Sequence, residues 1–376
     1  MAVDDVNVLL VDASLFTPAY DAALTRALLD MGIKPSWATR PLRQGDRPEI
    51  PPECTDAFFY RRTDGMQLPA RLRAVLKGCA HLAGMLRLVR KVRRERPDAV
   101  HFQWIVVPLV DALAMALIRR WCPVVLTVHD TVAHNGQKLS WPQQLGYDWS
   151  AKLAHHVIVH TRSGLRTLAA RGVPPERIRV IPHGPLALPV ATKPAKRRDG
   201  RWTAVLFGEI KPYKGLDVLI DAVAAMPSDV KKNLRVIVAG RPRMDMAPLL
   251  ARIRALGLAD LFDLRLRRQS DEEMAALFAE ADGFVFPYRQ IDASGVYHLI
   301  GGLGKWLIAS RVGVFAEDGI DRDGRGVVVP PEDAPALASA LAHAVTTRPR
   351  ASAPAQGRSW SDIARATCAL YARAAV

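Results

Sequence analysis

The chain has 376 residues, a hydrophobic content of 49% and a formal net charge of +15. A single core rarely grows beyond roughly 250–300 residues, so two domains are expected. The charge suits nucleic acid, anionic lipid or small anions, but there is no zinc-finger spacing, no homeodomain-like basic helix and no aromatic–basic RNA-binding signature, so nucleic acid is not expected.

The four cysteines, Cys54, Cys79, Cys122 and Cys368, share no metal-like spacing and read as ordinary thiols of a reducing compartment. The first residues are acidic ahead of the apolar run, unlike a signal peptide. No apolar run reaches the ~20 residues that span a bilayer. A cytoplasmic location is therefore expected.

In chain order, Val8–Val11 reads as a strand, Asp12–Pro18 as its C-terminal loop and Tyr20–Met31 as a helix closed by Gly32. Ser36–Ala38 is a second strand. Residues 40–66 form a long loop with an embedded strand at Ala57–Tyr60. Residues 68–97 predict an amphipathic helix or helix pair, with Leu72, Val75, Leu76, Leu82, Leu86, Leu88 and Val89 opposite nine basic residues and one acid. Strands follow at Asp98–Phe102, Pro123–Val128, Val157–His160 and Ile178–Ile181, with helices at Val107–Ile118, Trp149–Leu153 and Arg162–Arg171. Repeated βα units imply a parallel sheet covered on both faces.

Residues 185–201 hold three prolines and a basic cluster without apolar period, and read as a linker. A second series starts with the stretch that organises the chain, Trp202–Met226. Residues 203–207 are a buried strand. Gly208–Gly215 is a glycine-bounded turn carrying Lys211 and Lys214, and a helix runs from Leu216. Such a turn aims backbone N–H groups and a helix N-terminus at one point, which suits a phosphate. The remaining strands are Leu234–Ala239, Phe262–Leu266, Gly283–Pro287, Trp306–Ser310 and Val327–Val329. Helices fall at Ala247–Leu256, Asp271–Glu280 with the capping signature Ser270-x-x-Glu273, Gly295–Leu303, Ala334–Thr346 and Trp360–Ala374.

The fold expected is α/β, two Rossmann-like domains facing a cleft. The boundaries are 1–185 for the N-terminal domain, 186–201 for the linker, 202–358 for the C-terminal domain and 359–376 for a helix returning toward the N-domain. Ligands of open α/β sheets bind beyond the carboxyl ends of the strands. The candidate rims are therefore Asp12–Pro18, His101–Trp104, His129–Asn135 and His183-Gly184 in one domain, and Gly208–Gly215, Gly240–Arg243 and Tyr288–Gly295 in the other.

The stretches FGEIKPYKGLDVLIDA (207–222), VIPHG (180–184), TVHD (127–130) and FPYRQIDASGVYHLIGGLGKWLIASRVG (286–313) resemble the GT-B glycosyltransferases, in particular the retaining group called family 4. The PYR and YKG forms look like enzymes of exopolysaccharide and capsule assembly, including mannosyltransferases of the xanthan type. The resemblance implies a nucleotide-sugar donor, UDP- or GDP-linked and needing no further cofactor. It also implies a polyprenyl-diphosphate-linked saccharide as acceptor and an enzyme peripheral on the cytoplasmic face of the membrane. The basic 68–97 segment fits an anionic headgroup surface.

Residue by residue, the resemblance places Lys214 on the donor diphosphate. Glu209 stands where the family has an arginine, and Lys211 or Arg289 would replace its charge. Of the family's paired glutamates only Asp292 is represented by an acid, with Ser294 or backbone N–H groups taking the second contact. Gly295 opens the following helix, and Gly208, Gly240 and Arg241 complete the donor side. His129 matches a histidine facing the donor sugar, and Asp130 is the candidate general base should the enzyme invert. Asp12, His101, Trp104 and His134 form the acceptor side, with Trp104 stacking on a sugar. No carboxylate pair sits in a metal-like position, so metal independence is expected. The rival readings are an inactive scaffold subunit of this fold and a sugar-nucleotide epimerase.

Overall fold

In the computed structural model the described residues are 6–63, 69–131, 146–188, 190–191, 200–351 and 358–373. They form two units, Met1–Gly184 with Gly357–Val376, and Pro185–Gln356.

Unit 1 is built on a seven-stranded parallel sheet in the order β3-β2-β1-β4-β5-β6-β7. Its strands are β1 Asn7–Asp12, β2 Lys34–Thr39, β3 Thr55–Ala57, β4 Ala99–Phe102, β5 Val124–Val128, β6 His156–Val159 and β7 Ile178–Val180. Their nearly unbroken apolar runs follow from burial on both faces. Val8 and Leu10 pack to one side with Trp37, while Leu9 and Val11 pack to the other with Phe102 and Leu126. Chain direction across the sheet reverses between β1 and β4, so the crevice of this unit opens beyond Asp12 and Phe102.

The terminal helix Trp360–Arg373 belongs to this unit and packs on α1, Pro18–Leu29. Ile363, Ala364, Leu370 and Tyr371 enter the same core as Tyr20, Leu24 and Trp37. Gly184 makes room for this arrangement, because a Cβ there would lie 2.5 Å from the Trp360 ring.

Two expectations are corrected in unit 1. The embedded strand is Thr55–Ala57, not Ala57–Tyr60. Its partner β2 ends at Thr39, whose carbonyl accepts both Phe58 N–H and Phe59 N–H, so the ladder stops and the apolar residues turn inward. Phe59 packs over Gly84, where a Cβ would meet its ring at 2.5 Å.

The segment predicted as one or two helices is a single helix, α2, Ala70–Glu95. Its buried face is His81, Met85, Leu88 and Val92. Leu72, Val75, Leu82 and Leu86 are 45–62% exposed and share the solvent side with the basic residues, rather than opposing them. The polar residue of the buried face explains this register. His81 joins Tyr60 Oη at 2.6 Å to Asp111, whose other oxygen accepts Val106 N–H and Val107 N–H at the start of α3, Pro108–Ile118.

Unit 2 has six parallel strands in the order β10-β9-β8-β11-β12-β13. They are β8 Trp202–Phe207, β9 Leu234–Ala239, β10 Phe262–Arg265, β11 Gly283–Phe286, β12 Trp306–Ser310 and β13 Gly326–Val329. The reversal falls between β8 and β11. The start of the expected linker belongs to this unit, since Leu186 N–H donates to His298 O and Leu188 packs on the core. The Ser270 capping box is formed. The helix after Ser294 is shorter than expected, Gly295–Ile300, and continues as one 3₁₀ turn that Gly304 ends in the left-handed region. The short helices Ser228–Lys231 and Gly313–Glu317 lack enough apolar periodicity to be visible in the sequence.

Candidate active site

The crevice of unit 2 is lined by the glycine turn. Gly208 and Gly215 have φ of +99° and +66°, where an L-residue is strained. Gly215 also brings the turn against β11, since a Cβ there would lie 1.9 Å from Pro287 O. Ile210 N–H and Arg243 N–H exchange hydrogen bonds with Arg241 O and Ile210 O, zipping the turn to the loop after β9. Lys214 lies buried in this frame at 5% exposure. Its Nζ donates to Phe207 O at 2.8 Å and stands 5.4 Å from the Tyr288 ring centroid. Burial, reinforced by the nearby charge of Lys211, pushes its pKa down to about 7. A diphosphate beside such a group would restore its charge.

Two of the other expected cations, Arg289 and Lys211, are engaged. Arg289 spans Asp217 with two bonds at 3.0 and 2.7 Å and reaches Glu332 at 2.8 Å. Asp217 starts the helix Leu216–Ala225, so the guanidinium is a brace across the turn. Lys211 and Arg243 both pair with Glu209, at 3.3 and 2.5 Å. Burial opposes ionisation of Glu209, but the Arg243 hydrogen bond and the Lys211 charge outweigh it and hold its pKa low.

Ser294 spends its hydroxyl on Tyr297 N–H as an N-cap. Asp292 is half-buried, and its carbonyl accepts Val314 N–H. Gly295 is exposed, with nothing within 4 Å of the position of a Cβ. Gly240, with φ +147°, lets the loop after β9 touch Gly208 O, and Arg241 is exposed beside it. The structure thus brings together Gly208, Lys211, Lys214, Gly240 and Arg241 in one crevice.

In unit 1, two acceptor-side assignments are corrected. Asp12 is fully buried. Its carboxylate accepts Ser14 N–H, Phe16 N–H and Thr17 N–H at 3.1, 2.7 and 3.3 Å, and so folds the loop after β1. Burial and the charge of Asp12 push the Asp21 carboxyl well above the usual carboxylate range. His101 is also fully buried, between Tyr371 Oη at 2.8 Å and Thr127 Oγ1 at 2.7 Å. Burial pushes its pKa down to about 3.

Trp104 does reach the rim. It is half-exposed and donates Nε1–H to Thr17 Oγ1 at 3.0 Å. One face of its ring stacks on His129, with centroids 5.0 Å apart and planes at 15°. His129 is held well below its ordinary pKa by burial and by His160, and both its ring nitrogens are engaged, by Gln103 and by His160. Asp130 is half-buried at the same strand end. His134 lies outside the described residues. The sequence reading missed Tyr20, Gln103, His160 and Trp360, which pack around His129 and His183.

Among the described residues no group of three or more His, Cys, Asp or Glu could hold a metal ion, and no helix is long and apolar enough to cross a membrane.

The chain matches two family models, Glycosyltransferase Family 4 over residues 21–184 and Glycosyl transferases group 1 over residues 201–347. No curated protein matches its sequence. Among solved structures it is similar to HepE of Anabaena in complex with UDP and glucose, with 16% identity, 98% of each chain covered and a TM-score of 0.68. It is also similar to sucrose-phosphate synthase of Thermosynechococcus elongatus, at 18% identity over 98% and 97% of the two chains and a TM-score of 0.67. WaaG, a glycosyltransferase of lipopolysaccharide biosynthesis, shares 15% identity over 98% and 97% with a TM-score of 0.61. At such identities these likenesses establish the fold, two Rossmann-like domains. The two family models carry the assignment, and the chain belongs to the GT-B glycosyltransferases of the family 4 type.

Proposed function

We propose that this glycosyltransferase moves a hexosyl group from a UDP- or GDP-linked sugar to a polyprenyl-diphosphate-linked saccharide, in exopolysaccharide, capsule or O-antigen assembly. The observation that carries the donor half is Lys214, a buried amine at the glycine turn of unit 2. As the sugar–phosphate bond breaks, negative charge grows on the leaving nucleoside diphosphate. A preorganised ammonium and the turn's N–H groups stabilise that charge without reorganising. The acceptor hydroxyl gives its proton to Asp130 in an inverting reaction, or to the leaving phosphate in a retaining one. UDP in the HepE structure supports a uridine nucleotide as the first donor to try.

The membrane half of the reading rests on α2. Leu72, Val75, Cys79, Leu82 and Leu86 recur three and four residues apart on its exposed side, with Arg71, Arg73, Arg87, Arg90, Arg93 and Arg94 also exposed. A helix with this layout lies in the headgroup plane of an anionic bilayer, where a lipid-linked acceptor is confined.

The test is turnover of UDP-glucose, GDP-mannose and related donors with a polyprenyl-diphosphate saccharide in anionic vesicles. Transfer is expected to persist in excess EDTA and to fall at least tenfold in Lys214→Ala. A folded protein that neither binds nor turns over any nucleotide sugar would instead be a scaffold. Activity abolished by EDTA and restored by Mg²⁺ would overturn metal independence.

A further inference from the structure

Three neighbouring strands of unit 1 end in histidine: His129 follows β5, His160 follows β6, and His183 lies just past β7. The first two are joined in a hydrogen-bonded chain that crosses the sheet. His160 Nδ1 lies 2.9 Å from Ile181 O. A carbonyl oxygen only accepts, so Nδ1 carries hydrogen. His160 Nε2 lies 3.0 Å from His129 Nδ1. In an uncharged chain Nε2 is then the acceptor and His129 Nδ1 carries the proton.

His129 Nε2 is therefore bare, and the Gln103 amide stands 3.3 Å away. The amide must present its NH₂ there and turn its oxygen toward His101 Nε2, since the two ends of an amide are assigned from their partners. His101 Nε2–H then serves Gln103 and Thr127 Oγ1, and Tyr371 Oη–H donates to His101 Nδ1. Every link is satisfied by one arrangement and by no other uncharged one. Trp104 stacks on the His129 ring and the Tyr20 edge abuts it, at centroid distances of 5.0 and 4.9 Å. Turning the ring over would break both of its hydrogen bonds.

We propose that His160 and Gln103 are positioning residues that hold His129 as the neutral Nδ1–H tautomer. They thereby fix the strand end that carries Asp130 and the Trp104 surface. This rests on the sugar-transfer reading above, in which that strand end meets the reacting sugar. The Nδ1–H form is the less common one for a free imidazole, so it marks the chain spectroscopically. Misplacement of a reacting group by about 1 Å costs on the order of a hundredfold in rate, which sets the scale of the effect.

The test uses the full chain labelled with ¹⁵N-histidine, together with His160→Leu, His160→Gln and His160→Asn. Imidazole nitrogen shifts are expected to report protonated Nδ1 at His129 and His160 in the wild type. The Gln amide oxygen reaches the place of Nε2 and accepts from His129, whereas the Asn amide reaches only the place of Nδ1. His160→Gln is therefore expected to keep the His129 tautomer and kcat within about threefold. His160→Asn and His160→Leu are expected to lose the tautomer and at least tenfold in kcat, with donor KM within about twofold. A His129 protonated at Nε2 in the wild type, or equal behaviour of the Gln and Asn variants, overturns the proposal. Should His160→Leu fail to fold, the Gln and Asn pair still decides. If no variant and no wild type transfers sugar, the transfer reading falls and the nitrogen shifts alone judge the chain.

Discussion

Lys214 Nζ donates to Phe207 O at 2.8 Å, seven residues back along its own chain. Burial, with the nearby charge of Lys211, lowers the amine's pKa to about 7 from its ordinary 10.5 in spite of that bond. Below about pH 7 the amine is already charged, and binding a diphosphate takes up no proton there. Above it, binding must recruit one, so affinity for UDP is expected to fall as pH rises, by up to tenfold per unit. The free protein responds oppositely. Between about pH 7 and 10.5 the unfolded chain binds more protons at this site than the folded one, so this group's contribution to stability rises across that window. Calorimetry of UDP at pH 8 in two buffers of different ionisation enthalpy measures the proton uptake. Lys214→Met should abolish it, and a pH-independent affinity in the wild type would contradict the assignment.

Arg289 is expected to behave differently. Its guanidinium braces Asp217 and Glu332 and donates to Pro212 O. The site is about one-third exposed, so Arg289→Gln should cost only about 1 kcal/mol of stability. UDP affinity should stay within about twofold. Urea titration and UDP calorimetry on the same protein separate the two, and a tenfold loss of affinity would return Arg289 to the donor site.

Gly240 allows a close backbone approach in the donor crevice. A Cβ there would lie 2.0 Å from Gly208 O, at a φ of +147°. Gly240→Ala should therefore cost at least about 2 kcal/mol, through backbone strain and displacement of the turn. Gly295→Ala is the contrast. Its Cβ meets nothing within 4 Å, so stability should be unchanged or rise by about 0.4–1 kcal/mol. Denaturation midpoints of the two variants would expose an error if they moved alike.

The outer side of α2 should bind vesicles containing anionic lipid and release them as salt rises, since headgroup attraction is screened within roughly 8–10 Å at physiological ionic strength. Changing Arg90, Lys91, Arg93 and Arg94 to Gln should remove the salt-sensitive part. Changing Leu82 and Leu86 to Ser should weaken what remains, because both are exposed. Co-sedimentation that is equal for neutral and anionic vesicles, or absent for both, would contradict the electrostatic reading.

Much of the architecture was legible because parallel strands buried on both faces are written as apolar runs, and glycine punctuates their ends. Lys214 was legible for the same reason: it follows such a strand inside a glycine-bounded turn. The side-chain partnerships were not. Nothing local tells that Arg289 faces Asp217, 72 residues earlier, or that Glu209 gathers Lys211 and Arg243. Asp12 and His101 sit at strand ends, as rim residues do, but their chemistry is spent inward on a loop and on the terminal helix. The α2 register failed because His81 looks polar in sequence, yet its two hydrogen bonds make it the centre of the buried face. His160, at the strand end next to that of His129, was an unused signal. His129 and His160 follow Val128 and Val159, which pair in the sheet.

The return of the terminal helix to unit 1 also sets an order of assembly. His101 finds its partner Tyr371 across 270 residues. At ~5–20 residues per second of synthesis, those residues take roughly 15–55 s to be made. During that interval all of unit 2 emerges as one contiguous segment, while unit 1 waits with one flank of its core open around Tyr20, Leu24 and Trp37. The nascent chain is thus most vulnerable to aggregation and to chaperone capture in its older half until the Trp360–Arg373 helix has been made.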